Sequence, residues 1–73
     1  MNVYSIYDKV AKEGGPLFHA QNDDVARRML RSMVKNSPEL AQDYVLYQVG
    51  EYEVGTLRLR GYLDDMRVVE VEK

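Results

Sequence analysis

Asn22-Asp23-Asp24-Val25-Ala26-Arg27-Arg28-Met29-Leu30-Arg31-Ser32-Met33-Val34-Lys35 is the stretch whose reading decides the fold. Val25, Ala26, Met29, Leu30, Met33 and Val34 recur at three- and four-residue steps, the period of one face of an α-helix. Asn22 suits an N-cap, and Asp23 and Asp24 place negative charge in the first turn, where the helix dipole favours it. Lys35 suits the last turn, Asn36 a C-terminal cap, and Pro38 stops the helix. The spacing predicts a helix over about residues 23–35.

On either side of this helix the pattern changes to that of strands. Upstream, Val3-Tyr4-Ser5-Ile6-Tyr7 is rich in β-branched and aromatic residues. Gly14-Gly15-Pro16 reads as a turn, and Leu17-Phe18-His19-Ala20 as a second short strand. Downstream, Tyr44-Val45-Leu46-Tyr47-Gln48-Val49 is a strong strand signal. Residues 50–55 read as a hairpin connection. Thr56-Leu57-Arg58-Leu59-Arg60 alternates apolar and charged residues, as a half-buried strand does. Leu63-Asp64-Asp65 is turn-like, and Arg67-Val68-Val69-Glu70-Val71 is a last strand. The expected fold is α+β: a small antiparallel sheet of four to five strands with one amphipathic helix packed on one face. The opposite sheet face is left to solvent or to a partner.

Size and composition narrow the class. The chain has 73 residues, enough for a single domain and too few for two. Apolar residues make up 45% and charged residues 30%, which places it among folded rather than disordered chains. A core this small is marginal alone. With no cysteine, neither a disulfide nor a thiolate zinc site is open to it. Self-association is the remaining device, so a homodimer or other homo-oligomer is expected. No apolar run approaches the ~20 residues of a membrane span. Met1-Asn2-Val3-Tyr4 lacks the basic start of a signal peptide, so the protein is expected to stay where it is made, with no membrane partner.

The basic residues form the main functional candidate. Arg27, Arg31 and Lys35 follow at four-residue steps, with Arg28 beside them, away from the apolar stripe. Such a face can contact phosphates. It can equally be a solvated surface, with Asp24 pairing to Arg27 or Arg28. Arg58 and Arg60 share one face of their strand. There are six tyrosines. Tyr4 and Tyr7 must point to opposite faces, as must Tyr44 and Tyr47, so one of each pair is free of the core. Exposed tyrosines beside arginines suit base stacking in single-strand binders, and they equally suit a dimer interface. The net charge of −2 weighs against strong non-specific DNA binding but leaves room for a local basic patch.

No constellation supports catalysis, and no cofactor or metal is expected. His19 with Ser5, Ser32 or Ser37 lacks a nucleophile-elbow motif. Asp64-Asp65 has no third ligand in sequence range. Asp8 and Asp43 sit beside strands, where turn chemistry accounts for them. Gly14-Gly15 lacks the later glycine and lysine of a phosphate loop.

Four segments in this order carry a resemblance. They are Val3-Tyr4-Ser5-Ile6-Tyr7-Asp8, Gly15-Pro16-Leu17-Phe18, Asn22-Asp23-Asp24-Val25-Ala26-Arg27-Arg28, and Asp43-Tyr44-Val45-Leu46-Tyr47-Gln48-Val49-Gly50-Glu51-Tyr52. The pattern resembles the small nonstructural protein of gokushovirus-type microviruses (Microviridae), bacteriophages with circular single-stranded DNA genomes. The likeness covers about residues 3–55. From Thr56 onward the chain departs from the pattern, with an extra strand in place of a short polar tail. The resemblance implies a DNA-binding accessory protein acting in genome replication or packaging, in the bacterial host cytoplasm and outside the virion. On that reading Arg27, Arg28, Arg31 and Lys35 contact phosphates of single-stranded DNA. Arg58 and Arg60, with a sheet tyrosine such as Tyr47, contact bases or backbone. The alternative is an interaction module that engages a host or phage protein, for example by strand addition at an edge such as residues 68–71.

Overall fold

A computed structural model describes residues 1–71. Strand β1 (Asn2–Asp8) is followed by the short β2 (Glu13–Gly14) and β3 (Phe18–Ala20). Helix α1 (Asp23–Met33) and a 3₁₀ turn (Pro38–Asp43) lead into the long β4 (Tyr44–Glu53). Strands β5 (Arg58–Gly61) and β6 (Arg67–Val69) complete the sheet. The α+β architecture is thus the expected one, with all strand pairs antiparallel.

The two long strands, β1 and β4, pair with each other and form the centre. Both β2 and β3 pair with the outer side of β1, and both β5 and β6 with the outer side of β4. Strands β3 and β4 therefore run parallel on either side of β1. A tight hairpin cannot join parallel strands. The chain between them must cross the sheet, and α1 is that crossing.

Helix α1 begins as the sequence predicts. Asn22 is extended, and its Oδ1 accepts the Val25 N–H at 3.0 Å. The helix ends at Met33, two residues before the expected boundary, and Val34 rather than Asn36 is the C-cap. Pro38 disfavours helical backbone at Ser37, so the chain leaves the helix early and enters the 3₁₀ turn. Residues 34–37 close instead through the Lys35 N–H to Ser32 O and the Ser37 N–H to Val34 O.

The core lies between α1 and one sheet face: Tyr4, Ala20, Ala26, Leu30, Val34, Leu46 and Val69. Ile6, Phe18, Val25 and Tyr44 pack around it, and the Phe18 ring stacks on Tyr4 at 5.8 Å. Only one edge of the predicted apolar stripe is buried. Met29 and Met33 remain 41% and 55% exposed, because the narrow sheet does not reach under that flank.

A polar network ties the start of α1 to the sheet. The Tyr4 hydroxyl donates to Asp23 Oδ1 at 2.7 Å, and Arg67 NH2 donates to the same oxygen at 2.7 Å. Arg67 also donates from Nε and NH2 to Gln48 Oε1 at 3.0 and 2.7 Å. Gln48, the one buried polar residue in the core region described, spends its amide on Gly50 O and the Tyr62 hydroxyl. Hydrogen bonds from Arg67 and Tyr4 hold the Asp23 carboxyl below the usual carboxylate range. Burial pushes the Tyr4 hydroxyl up, and the Asp23 carboxylate raises Arg67.

The hairpin after β4 differs from the sequence reading. Residues 50–53 stay in strand, pairing with Gly61, Arg60, Leu59 and Arg58, and the turn falls at residues 54–57. Gly50 is required for a close approach rather than a turn: a Cβ there would sit 2.4 Å from the Arg60 carbonyl oxygen. The register of β1 against β4 also shifts here. Tyr4 pairs with Gln48 but Val3 pairs with Gly50, so Val49 is the extra residue of a β-bulge.

Two stability predictions follow from these contacts. Gly50→Ala is expected to cost about 1–3 kcal/mol by forcing two backbones apart, read as a lower urea midpoint. Gly61→Ala, where a Cβ meets nothing within 4 Å, is expected to stay within about 0.5 kcal/mol. Asp23→Asn is expected to cost about 1 kcal/mol at pH 7, a fall of roughly 4–8 °C in melting temperature. The Asp23 carboxyl is depressed in the fold, so its contribution is complete above its unfolded pKa of about 3.9 and fades as pH falls below that. Melting curves of wild type and variant should therefore converge in acid; a gap that persists unchanged at pH 2 contradicts the assignment.

Candidate nucleic-acid interface

The four cations of α1 and the turn after it (Arg27, Arg28, Arg31 and Lys35) separate into two groups once the helix is docked. Arg27 lies on the flank facing β6. Its Nε donates to Glu70 O at 2.6 Å and its NH1 to Asp24 Oδ1 at 2.7 Å. It is a strut between the helix and the strand end, with only 26% of its side chain exposed. Arg28, Arg31 and Lys35 are exposed and make no hydrogen bond or ion pair with the described residues. Arg28 and Arg31 stand three residues apart on one side of the helix, and Lys35 follows in the turn just past its Val34 cap, so their charges reinforce one another.

Arg31 and Lys35 also border a groove of about 1250 Å³ between the end of α1, the 3₁₀ turn and β6. Its lining includes apolar Leu30, Val34 and Val69 and the cation Lys9. The carboxyl side chains Glu39, Asp43 and Glu70 share it. The groove is thus of mixed charge, and the basic row is cleanest on the outer surface, at Arg28 and Arg31.

Arg58 and Arg60 do share a face, as the alternation requires, but each stands opposite a glutamate: Arg58 across from Glu53, and Arg60 across from Glu51. Arg60 NH1 lies 3.5 Å from Glu51 Oε2, and its guanidinium sits 5.7 Å from the centre of the Tyr62 ring. Partial desolvation, then the Glu51 carboxylate, raise the Tyr62 hydroxyl above its usual pKa. The charge on β5 is largely balanced in place.

Tyr47 is on the other side of the sheet. It pairs with Ser5 and Val68, whereas its neighbours Leu46 and Gln48 point to the core. Arg60 belongs to the helix side, because Tyr62 beneath it meets Gln48 there. The expected partnership of Arg58 and Arg60 with Tyr47 is therefore not assembled on one surface. The physical reason is the bulge at Val49, which reverses the alternation of β4 between Tyr47 and Glu51.

Strand alternation correctly separates the tyrosine pairs. Tyr4 is fully buried and Tyr44 packs on the core, while Tyr7 and Tyr47 lie on the open face. His19 is exposed on β3, and Asp64 and Asp65 are exposed in a turn. Asp8 caps its own turn, its Oδ1 accepting from the Val10 and Ala11 N–H groups. Among the described residues, no group of three or more His, Asp or Glu side chains is placed to hold a metal. No helix is long and apolar enough to cross a membrane.

Sequence reasoning missed Arg67, Gln48 and Tyr62. Arg67 meets Asp23 across 44 positions of chain, and no local spacing announces such a contact. A polar Gln48 within the apolar run of residues 44–49 is the one signal that marks a buried polar connection.

No curated protein and no solved structure matches this chain. A family model described as Phage ORF5 protein matches residues 1–72. The match runs through the last third of the chain, well past residue 55, and takes in β5 and β6. The chain belongs to the Phage ORF5 protein family.

Proposed function

We propose that this phage accessory protein binds single-stranded DNA during genome replication or packaging in the bacterial host cytoplasm. The observation that carries the reading is the set Arg28, Arg31 and Lys35: exposed cations on α1 and in the turn just past its C-cap, unpartnered among the described residues, in a chain of net charge −2. The stretch from Arg28 to Lys35, helical as far as Met33, spans on the order of 10 Å. A stacked strand places roughly three phosphates over that length at ~3.4 Å each. The helix holds Arg28 and Arg31 at a fixed pitch, and the hydrogen-bonded turn after Val34 carries Lys35, so binding needs little further ordering of the backbone. The remaining basic candidates have other work: Arg27 braces the helix, and Arg58 and Arg60 face glutamates. The microvirus resemblance supports a single-stranded target.

A second reading, docking to a host or phage protein, draws on the uncharged open face of the sheet. That reading requires no response to oligonucleotide.

Fluorescence anisotropy of a labelled single-stranded oligonucleotide decides between them. Wild type is expected to bind in a strongly salt-dependent way. Reversing Arg28, Arg31 and Lys35 to Glu should abolish binding at physiological salt and lower the magnitude of the log–log salt slope by about 2. Reversing Arg58 should leave the slope nearly unchanged. Failure of wild type to bind at low salt overturns the DNA reading.

A further inference from the structure

The sheet face turned away from α1 is the most anomalous surface of the molecule. Register places Val3, Ser5 and Tyr7 of β1 there, opposite Gly50, Tyr47 and Val45 of β4. Val68 of β6 lies beside Tyr47, and Leu59 of β5 beside Tyr52. Three residues in ten of this chain are charged, yet the positions the register assigns to this face carry no Asp, Glu, Lys or Arg, and His19, the β3 partner of Val3, is the one ionisable side chain there besides the tyrosines. Depletion of charge with enrichment of tyrosine marks the centre of protein interfaces. Val3 is 8% exposed although it lies outside the core cluster.

The face is also larger than the monomer can use. Strand β5 pairs only with β4 and extends the sheet beyond the helix. Leu59 and Val68 remain 64% and 47% exposed there. The molecule is elongated, 39 × 22 × 18 Å. Its radius of gyration is 12.4 Å, against about 11 Å for a compact domain of this length. Its accessible surface of 5529 Å² exceeds by roughly 850 Å² the ~4,700 Å² expected of a compact 8.5 kDa monomer. A standard interface buries about 800 Å² on each partner.

We propose that the occupant of this face is a second copy of the same chain, packed sheet against sheet about a two-fold axis. An uncharged face is complementary to itself, since no like charges meet when it is duplicated. It suits a nucleic-acid strand poorly, because it carries no Lys or Arg to neutralise phosphate, and His19 at its margin is its one basic side chain. Two such sheets about 10 Å apart form a sandwich with a second core of Tyr7, Val45, Tyr47, Tyr52, Leu59 and Val68. The two helices then lie outermost, with both basic rows free. The dimer stands independently of the DNA reading, since it is measured without DNA.

Sedimentation equilibrium of the full chain over micromolar concentrations, without nucleic acid, is the test. Wild type should be a dimer. Val68→Lys and Leu59→Lys should each raise the dimer dissociation constant about tenfold or more. Both sites are exposed in the monomer, so far-ultraviolet circular dichroism should be retained. Arg28→Glu should leave the dimer intact. A wild type that is monomeric throughout overturns the proposal. So does a dimer that survives both lysine variants, or one that is lost with Met29→Glu and Met33→Glu instead, which would place the contact on the helix. A monomer whose oligonucleotide binding falls with Tyr47→Ala would reassign the face to base stacking.

Discussion

The pairing of β1 with β4, and the single extra residue at Val49, governs the surface chemistry of this protein. Below the bulge, Leu46 and Gln48 look inward and Tyr47 outward. Above it the alternation reverses, so Gly50 and Tyr52 share the outward face with Tyr47. One backbone irregularity thereby gathers odd-spaced tyrosines onto one surface and sends Glu51 and Glu53 to the other. Strand β5 inherits this arrangement through its pairing, which sets Arg60 and Arg58 opposite those glutamates and Leu59 beside Tyr52. The bulge is held in turn by the close approach of Gly50 to the Arg60 carbonyl, where no side chain fits.

The helix is fastened to this frame at both flanks by different means. Ala26, Leu30 and Val34 bury against Leu46 and Val69, which gives affinity without direction. Direction comes from Asp23, whose one oxygen accepts from both Tyr4 and Arg67, and from Arg27, which reaches the carbonyl of Glu70. These polar contacts select one docking angle for a short helix on a narrow sheet. They also consume Arg27 and Arg67, leaving Arg28, Arg31 and Lys35 as the cations turned to solvent.

The resulting division of surfaces is coherent. One side of the molecule carries exposed cations on α1 and its C-terminal turn that are unpaired among the described residues. The opposite side carries an uncharged, aromatic sheet. In a small phage protein with a core this limited, the dimer proposed above would supply burial that a single chain lacks. In that proposed dimer the basic rows would be doubled, which would raise avidity for a long polyanion if the proposed DNA contact holds.

Local pattern was enough for much of the fold. The helical period of residues 25–34, the Asn22 cap, the strand runs at residues 3–7 and 44–49, and the opposite orientation of neighbouring tyrosines all follow from spacing and side-chain type. These are short-range properties, encoded within one or two turns or strand repeats. The basic row on α1 was legible for the same reason. Which members of it are free was not, because Arg27 is taken by the backbone of Glu70, 43 positions away. Leu57 and Leu59 read as half-buried from their alternation, yet both stay exposed, since no helix covers the hairpin they occupy. The bulge, the Asp23–Arg67–Gln48 network and the separation of Arg58 and Arg60 from Tyr47 depend on register between strands distant in the chain. Sequence alone determined which segments are helix or strand and which residues carry charge. Tertiary pairing decided which charges are cancelled and which face is left uncovered, because those outcomes depend on partners that only the folded chain brings together.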